Sequence, residues 1–170
     1  MTAVIKNRTG LSWLWLAVIV FVIDLGSKLI VVSNFQLGES INLLPVFSFT
    51  YARNYGAAFS MLADAGGWQR WFFGVIAVTV SGLLIHWLRK QPATQYWSNV
   101  AYALILGGAL GNLYDRIMHG YVIDFLHVYW NDSHFPIFNL ADTWICIGAA
   151  MLVLEAIMES KNNKESSNDS

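Results

Sequence analysis

Charge is what this chain of 170 residues has least of. Asp, Glu, Lys and Arg make up 12% of it, about half the share usual in a soluble domain, while 56% is hydrophobic. That balance excludes an ordinary water-soluble globule. The net charge of −1 supplies no basic surface, so nucleic acid is not an expected partner. One cysteine, Cys146, excludes an internal disulfide, and in an apolar helix it serves as a small packing residue. No internal repeat is visible. Neither HExxH nor a paired Cys/His spacing occurs, so His119, His127 and His134, with Asp124 and Asp132, make a poor case for a metal site. GxSxG is absent too. Ser27 and Lys28 are the only Ser–Lys neighbours in an apolar setting, and adjacent helical residues point about 100° apart. No metal and no cofactor are expected.

What is present is a set of four long apolar runs. Residues 11–32, 71–88, 96–114 and 135–158 each approach the roughly 20 residues needed to cross a bilayer. The second and third contain no Asp, Glu, Lys or Arg. The first carries Asp24 and Lys28, is too long for the apolar part of a signal peptide and has no small-x-small cleavage site, so it reads as a retained span. Eight Trp and seven Tyr suit many membrane–water boundaries. Lys6, Arg8, Arg89, Lys90, Lys161 and Lys164 lie at one set of ends. The positive-inside rule then puts both termini in the cytoplasm and the loops 33–70 and 115–138 outside.

The expected fold is an all-α polytopic membrane protein of four spans, one domain over residues 1–158, with a small extracytoplasmic β-sheet. The sheet is signalled by VFSFTYA, where Phe47, Phe49 and Tyr51 alternate with Ser48 and Thr50 after Pro45. DAGGWQRW supplies a turn before the second span. The pair Gly107 and Gly111 marks a close helix–helix approach. The tail 159–170 is polar and is expected to be disordered.

Every polar residue that looks misplaced lies near the outer ends of the spans. Asp24 and Lys28 are spaced i,i+4, most simply as an intrahelical ion pair. Asn112, Asp115 and Arg116 share a face late in the third span, and Asn139 and Asp142 share one early in the fourth. Arg53 and Asn54 come from the strand-bearing loop. Asp142 has a bland explanation, since an anion near a helix N-terminus is favoured by a fraction of a kcal/mol. Asp124, in GYVIDFLHV, has neither a local partner nor a helix end, and an ionisable group at the lipid boundary is a functional candidate by default.

Two carboxylates that share a site cannot both ionise cheaply, so one keeps a proton. Such a pair suits hydrolysis of a peptide by water: the ionised acid takes a proton from water while its protonated neighbour polarises the carbonyl. A proton conductor would need charged groups spread through membrane depth, which the second and third runs lack. A non-catalytic assembly module would leave two acids in apolar surroundings unexplained.

Four blocks, DLGSK at 24–28, RNYGAAFS at 53–60, GGALGNLYDRIMHGYVIDF at 107–125 and FNLADTWICIGAA at 138–150, extend in order over most of the chain. On these the sequence resembles lipoprotein signal peptidase, a bacterial membrane aspartyl protease family. The resemblance implies a catalytic dyad at Asp124 and Asp142. It places supporting residues at Asn54, Asn112, Asp115, Arg116 and Asn139, with Gly56 and Ala141 shaping the site; Asp24 and Lys28 match its first motif, where their i,i+4 pairing points to a structural or supporting role. It implies a diacylglyceryl-modified prolipoprotein as substrate, cut just before the lipidated cysteine, in the bacterial inner membrane. The enzyme is expected to be a monomer among membrane lipids, and the charge pattern puts its site near the outer face.

Overall fold

The computed structural model describes residues 8–56 and 67–168. Residues 57–60 of RNYGAAFS, residues 64–66 of the turn before the second span, and Lys6 lie outside them. A 3-10 turn at Gly10–Trp13 leads into α1 (Leu14–Asn34), followed by β1 (Ser40–Leu44), β2 (Phe47–Asn54), α2 (Gln69–Lys90), α3 (Tyr96–Met118), β3 (Val122–Trp130), β4 (Ser133–His134) and α4 (Leu140–Asn168). The described residues are mostly helical, with one small antiparallel sheet.

Three helical segments, Gly10–Asn34, Gln69–Lys90 and Leu140–Asn163, are long and apolar enough to cross a membrane. Their outward surfaces carry Trp15, Val18, Val22, Ile30, Trp71, Val75, Val78, Val153 and Leu154, all exposed. In water such a surface would be costly; in hydrocarbon it is the expected solvent contact. Helix α3, with 23 residues, is built otherwise. It packs against α1, α2 and α4 and buries small or polar residues on several sides, among them Ala101, Ala103, Gly107, Gly108, Gly111, Asn112 and Asp115. A Cβ at Gly107 would lie 2.7 Å from the Ala17 carbonyl oxygen of α1, and one at Gly148 of α4 would lie 2.7 Å from the Ala101 oxygen of α3. Backbone against backbone is how apolar helices associate where no hydrophobic drive separates them from lipid.

The sheet has the order β1-β2-β3-β4 and joins the two segments expected outside the membrane. Beta2 spans the alternating segment, and its Tyr51 packs with Val31, Ile123 and Phe125 into a core against the end of α1. Register pairs Phe49 with Leu126 and Ala52 with Asp124, with an irregularity between them. Helix α3 closes on Gly120 at φ 81°, whose amide donates to the Arg116 carbonyl at 3.1 Å. Glycine tolerates that left-handed backbone and sends the chain straight into β3.

Two boundaries differ from the expectations. The fourth run begins its helix at Leu140, not at 135, because Phe138 is held in extended pairing: its amide donates to Leu126 O at 3.0 Å, and Phe125 N donates to Phe138 O at 2.9 Å. The tail expected to be disordered from 159 is helical through Asn168. Propagation from a helix already nucleated adds one hydrogen bond per residue, and SKNNKESSN contains no Gly or Pro to stop it.

Candidate active site

Helix α4 opens on a reciprocal cap. Asp142 N donates to Asn139 Oδ1 at 3.0 Å, and Asn139 N donates to Asp142 Oδ2 at 3.3 Å. This is the capping-box pattern, with an amide at the cap and a carboxylate three residues on. So Asp142 does stabilise a helix start, as its bland explanation requires. Its second oxygen is committed elsewhere: Oδ1 accepts from Asn112 Nδ2 of α3 at 2.7 Å.

The same Asn139 reaches the other acid. Its Nδ2 donates to Asp124 Oδ1 at 2.6 Å, and also contacts Asn112 Oδ1 at 3.1 Å and Ile123 O at 3.3 Å. One amide side chain therefore ties β3 to the start of α4, and with them Asp124 to Asp142. Asp124 is 1% exposed. Burial, and secondarily the charge of Asp142, pushes its carboxyl up to about 7, although hydrogen bonds from Asn54 and Asn139 favour the ionised form. A carboxyl that holds its proton near neutral pH beside a second acid can both give and take a proton.

Lys28 anchors this network from α1. Its ammonium, 1% exposed, meets Asp24 Oδ2 at 2.6 Å, Asp115 Oδ2 at 3.0 Å and Asn112 Oδ1 at 3.2 Å. Two carboxylates and one amide oxygen thus surround its three donors. Each acid then does a second job: Asp24 Oδ1 accepts from Ala141 N at 2.9 Å, and Asp115 Oδ2 accepts from Ile123 N at 3.1 Å, one residue before Asp124. The intrahelical pair is real but is also a brace between α1, α3, β3 and α4. Gly111 leaves room for it, since a Cβ there would collide with the Asp24 carboxylate.

The remaining expected residues fall close by. Arg116 donates from Nη1 to Asn112 O at 3.0 Å, and its guanidinium lies 5.3 Å from the Phe73 ring centroid. Asn54 Oδ1 accepts from Gly56 N at 2.9 Å, closing a turn in which Gly56 has φ 99° and sits against the Phe73 ring. Phe73, which touches both, was invisible beforehand as one more apolar residue of its span. Beside Arg116, α2 and α3 leave an apolar groove of about 300 Å³ lined by Gly74, Val75, Val78, Leu113 and Ile117, with Arg70 also on its rim. Among the described residues no three of His, Cys, Asp and Glu converge as a metal site. The site's chemistry is that of two acids, three amides and a guanidinium.

Comparison with known proteins agrees with the fold and with the motifs. Lipoprotein signal peptidase of Shewanella woodyi is 61% identical over 149 residues, covering 88% of this chain and 85% of the relative. The Shewanella pealeana protein of the same name is 59% identical over 158 residues, 93% of each chain, and that of Escherichia coli O6:K15:H31 is 57% identical over 157 residues, 92% of this chain and 96% of the relative. A bacterial membrane enzyme solved by the in meso method at 2.3 Å superposes with a TM-score of 0.79 at 30% identity, covering 89% of this chain and 90% of that one. A second such structure, at 1.9 Å, gives 0.74 at 30% identity, covering 85% and 92%. The family model described as Signal peptidase (SPase) II matches residues 16–158, the stretch that contains the whole Asp124–Asn139–Asp142 network, and the chain belongs to that peptidase family.

Proposed function

We propose that this chain is an aspartic endopeptidase of the bacterial inner membrane that removes the signal peptide from diacylglyceryl-modified prolipoproteins, cutting just before the lipidated cysteine. The observation that carries the reading is the single residue Asn139 joined to both acids, by its side-chain amide to the Asp124 carboxylate and by its backbone amide to that of Asp142, with burial raising the Asp124 carboxyl to about 7. Asp124, the more buried acid, holds the pair's shared proton at rest. Asp142 accepts a proton from the attacking water while Asp124 donates to the scissile carbonyl. The roles then reverse as the tetrahedral intermediate collapses and the leaving amine takes a proton.

All four helices span the bilayer in this reading, α3 as the central one, with both termini in the cytoplasm and the sheet at the outer face. Arg89 and Lys90 at the far end of α2, and Arg8 beside it, support that orientation. The groove between α2 and α3 supports lateral entry, since it opens to the lipid beside Arg116 and is apolar enough for an acyl chain. An acylated scissile site held at the membrane surface explains why the acids sit beside hydrocarbon.

The test is cleavage by wild type, Asp124→Asn and Asp142→Asn of one diacylated and one unmodified precursor. Wild type is expected to cut the diacylated precursor alone. Both variants are expected to remain folded and to lose cleavage by about 10³-fold or more. Substantial turnover by either purified variant removes that acid from the dyad.

A further inference from the structure

Beyond Asp124 on β3, toward the hairpin turn, two histidines face each other across the β3–β4 hairpin. His134 Nδ1 and His127 Nε2 are 3.1 Å apart, and the rings lie with centroids 5.1 Å apart. Tyr129 stacks on His134 at 5.5 Å and flanks His127 at 5.2 Å, holding both rings in place. On its other side, His127 Nδ1 is 3.4 Å from both Ser48 Oγ and Thr50 Oγ1 of β2. Those hydroxyls face Nδ1, which leaves Nε2 turned toward His134 Nδ1. Without a metal, one proton lies between the two facing nitrogens.

Two facing imidazole nitrogens at this separation are the arrangement of a ligand pair. A ligating imidazole is commonly fixed by a hydrogen bond at its other nitrogen, and here two hydroxyls from the neighbouring strand supply it. With metal–nitrogen distances of 2.0–2.1 Å, two nitrogens on a tetrahedral zinc ion lie roughly 3.3 Å apart, close to the separation found. His134 is exposed and His127 half-buried, so water has access to the other coordination positions. Imidazole pairs of this kind suit zinc, nickel or copper and not magnesium or calcium.

We infer that His127 and His134 form a binding site for a divalent late transition-metal ion, separate from the acids and structural in effect. On binding, the proton between the two facing nitrogens moves to the other nitrogen of the ring that carries it, and the ion takes its place between the two rings. His127 lies three residues beyond Asp124 on β3, and His134 lies five residues before Asn139. Between them Leu126 pairs with Phe138. An ion on the two rings therefore ties together the two segments that carry Asp124 and Asp142, outside the reaction itself.

The experiment is a titration of Zn²⁺ alone into the full chain in detergent, purified without a polyhistidine tag and stripped with chelator, followed by calorimetry and thermal unfolding. One equivalent is expected to bind and, at a hundredfold excess over Kd, to raise Tm by about 5–10 °C. His127→Gln and His134→Gln are each expected to lose the shift and weaken binding about tenfold or more, while His86→Gln/His119→Gln keeps both. The proposal is overturned by the absence of saturable binding, by binding unchanged in both hairpin variants, or by its loss in the control variant. None of these readouts depends on peptidase activity, so the outcome stands apart from the proposed function.

Discussion

Lys28 of α1 donates to Asn112 Oδ1 of α3 at 3.2 Å across 84 positions of sequence, which leaves the Asn112 Nδ2 to face Asp142 at 2.7 Å. A buried charge thereby sets the orientation of an uncharged amide, and the amide sets a candidate catalytic acid. Removing the two partners is expected to have different consequences. Lys28→Met strands Asp24 and Asp115 in the interior and should cost roughly 3–5 kcal/mol of stability, read as a large drop in Tm. Asn112→Leu keeps the ion pairs and should lower kcat by about 10²-fold through misplacement of Asp142, with a smaller effect on Tm. Equal losses of Tm in the two variants would show that Asn112 acts only as packing.

Activity should respond to pH through the shared proton. Asp124 is raised from its ordinary value near 3.8 to about 7, so the singly protonated pair is lost as pH climbs through neutrality. The expected profile of kcat/KM, which reports the free enzyme, falls on the alkaline side with an apparent pKa near 7. A rate that stays flat from pH 6 to 9 would refute that assignment.

The same carboxyl should burden the fold. The native state binds the Asp124 proton more tightly than the unfolded chain does, so stability falls as pH rises from about 4 to about 7 and the loss persists above that. At pH 8 the full shift corresponds to roughly 4 kcal/mol. Asp124→Asn retains the acceptor for Asn139 but not the charge. Its Tm is expected to exceed that of wild type by a margin that widens between pH 5 and pH 8; parallel curves would contradict the burial argument.

Gly111 should not tolerate a methyl group. An alanine Cβ would meet Asp24, which is pinned between Lys28 and the Ala141 amide and cannot retreat. Gly111→Ala is expected to cost roughly 1–3 kcal/mol and to depress cleavage with it. Gly26→Ala is the control, since nothing lies within 4 Å of its added Cβ and an interior helical Gly→Ala exchange gains about 0.4–1 kcal/mol. Similar behaviour of the two variants would remove close approach as the reason for Gly111.

How much of this was legible beforehand follows from the range of each force. The apolar runs, their basic flanks and the period-2 pattern of Phe47, Phe49 and Tyr51 are written locally, because a span or a strand depends on the character of its own residues. Asp24 with Lys28, and Asn139 with Asp142, were legible as pairs for the same reason: helical spacing puts i and i+3 or i+4 on one face. The helical tail beyond 158 was misjudged, since polar composition argues for disorder only where no helix is already running into the segment.

By itself the sequence determined which segments lie in apolar surroundings, which acids were anomalous there and which family the motifs resemble. Only the tertiary structure decided that Asn139 bridges Asp124 to Asp142, that Lys28 is the hub for three acceptors on two helices, and that Phe138 belongs to the sheet and not to α4. Hydrogen bonds and ion pairs are made over about 3 Å between atoms far apart in the chain. No local pattern can register such a contact until the helices and strands have been packed.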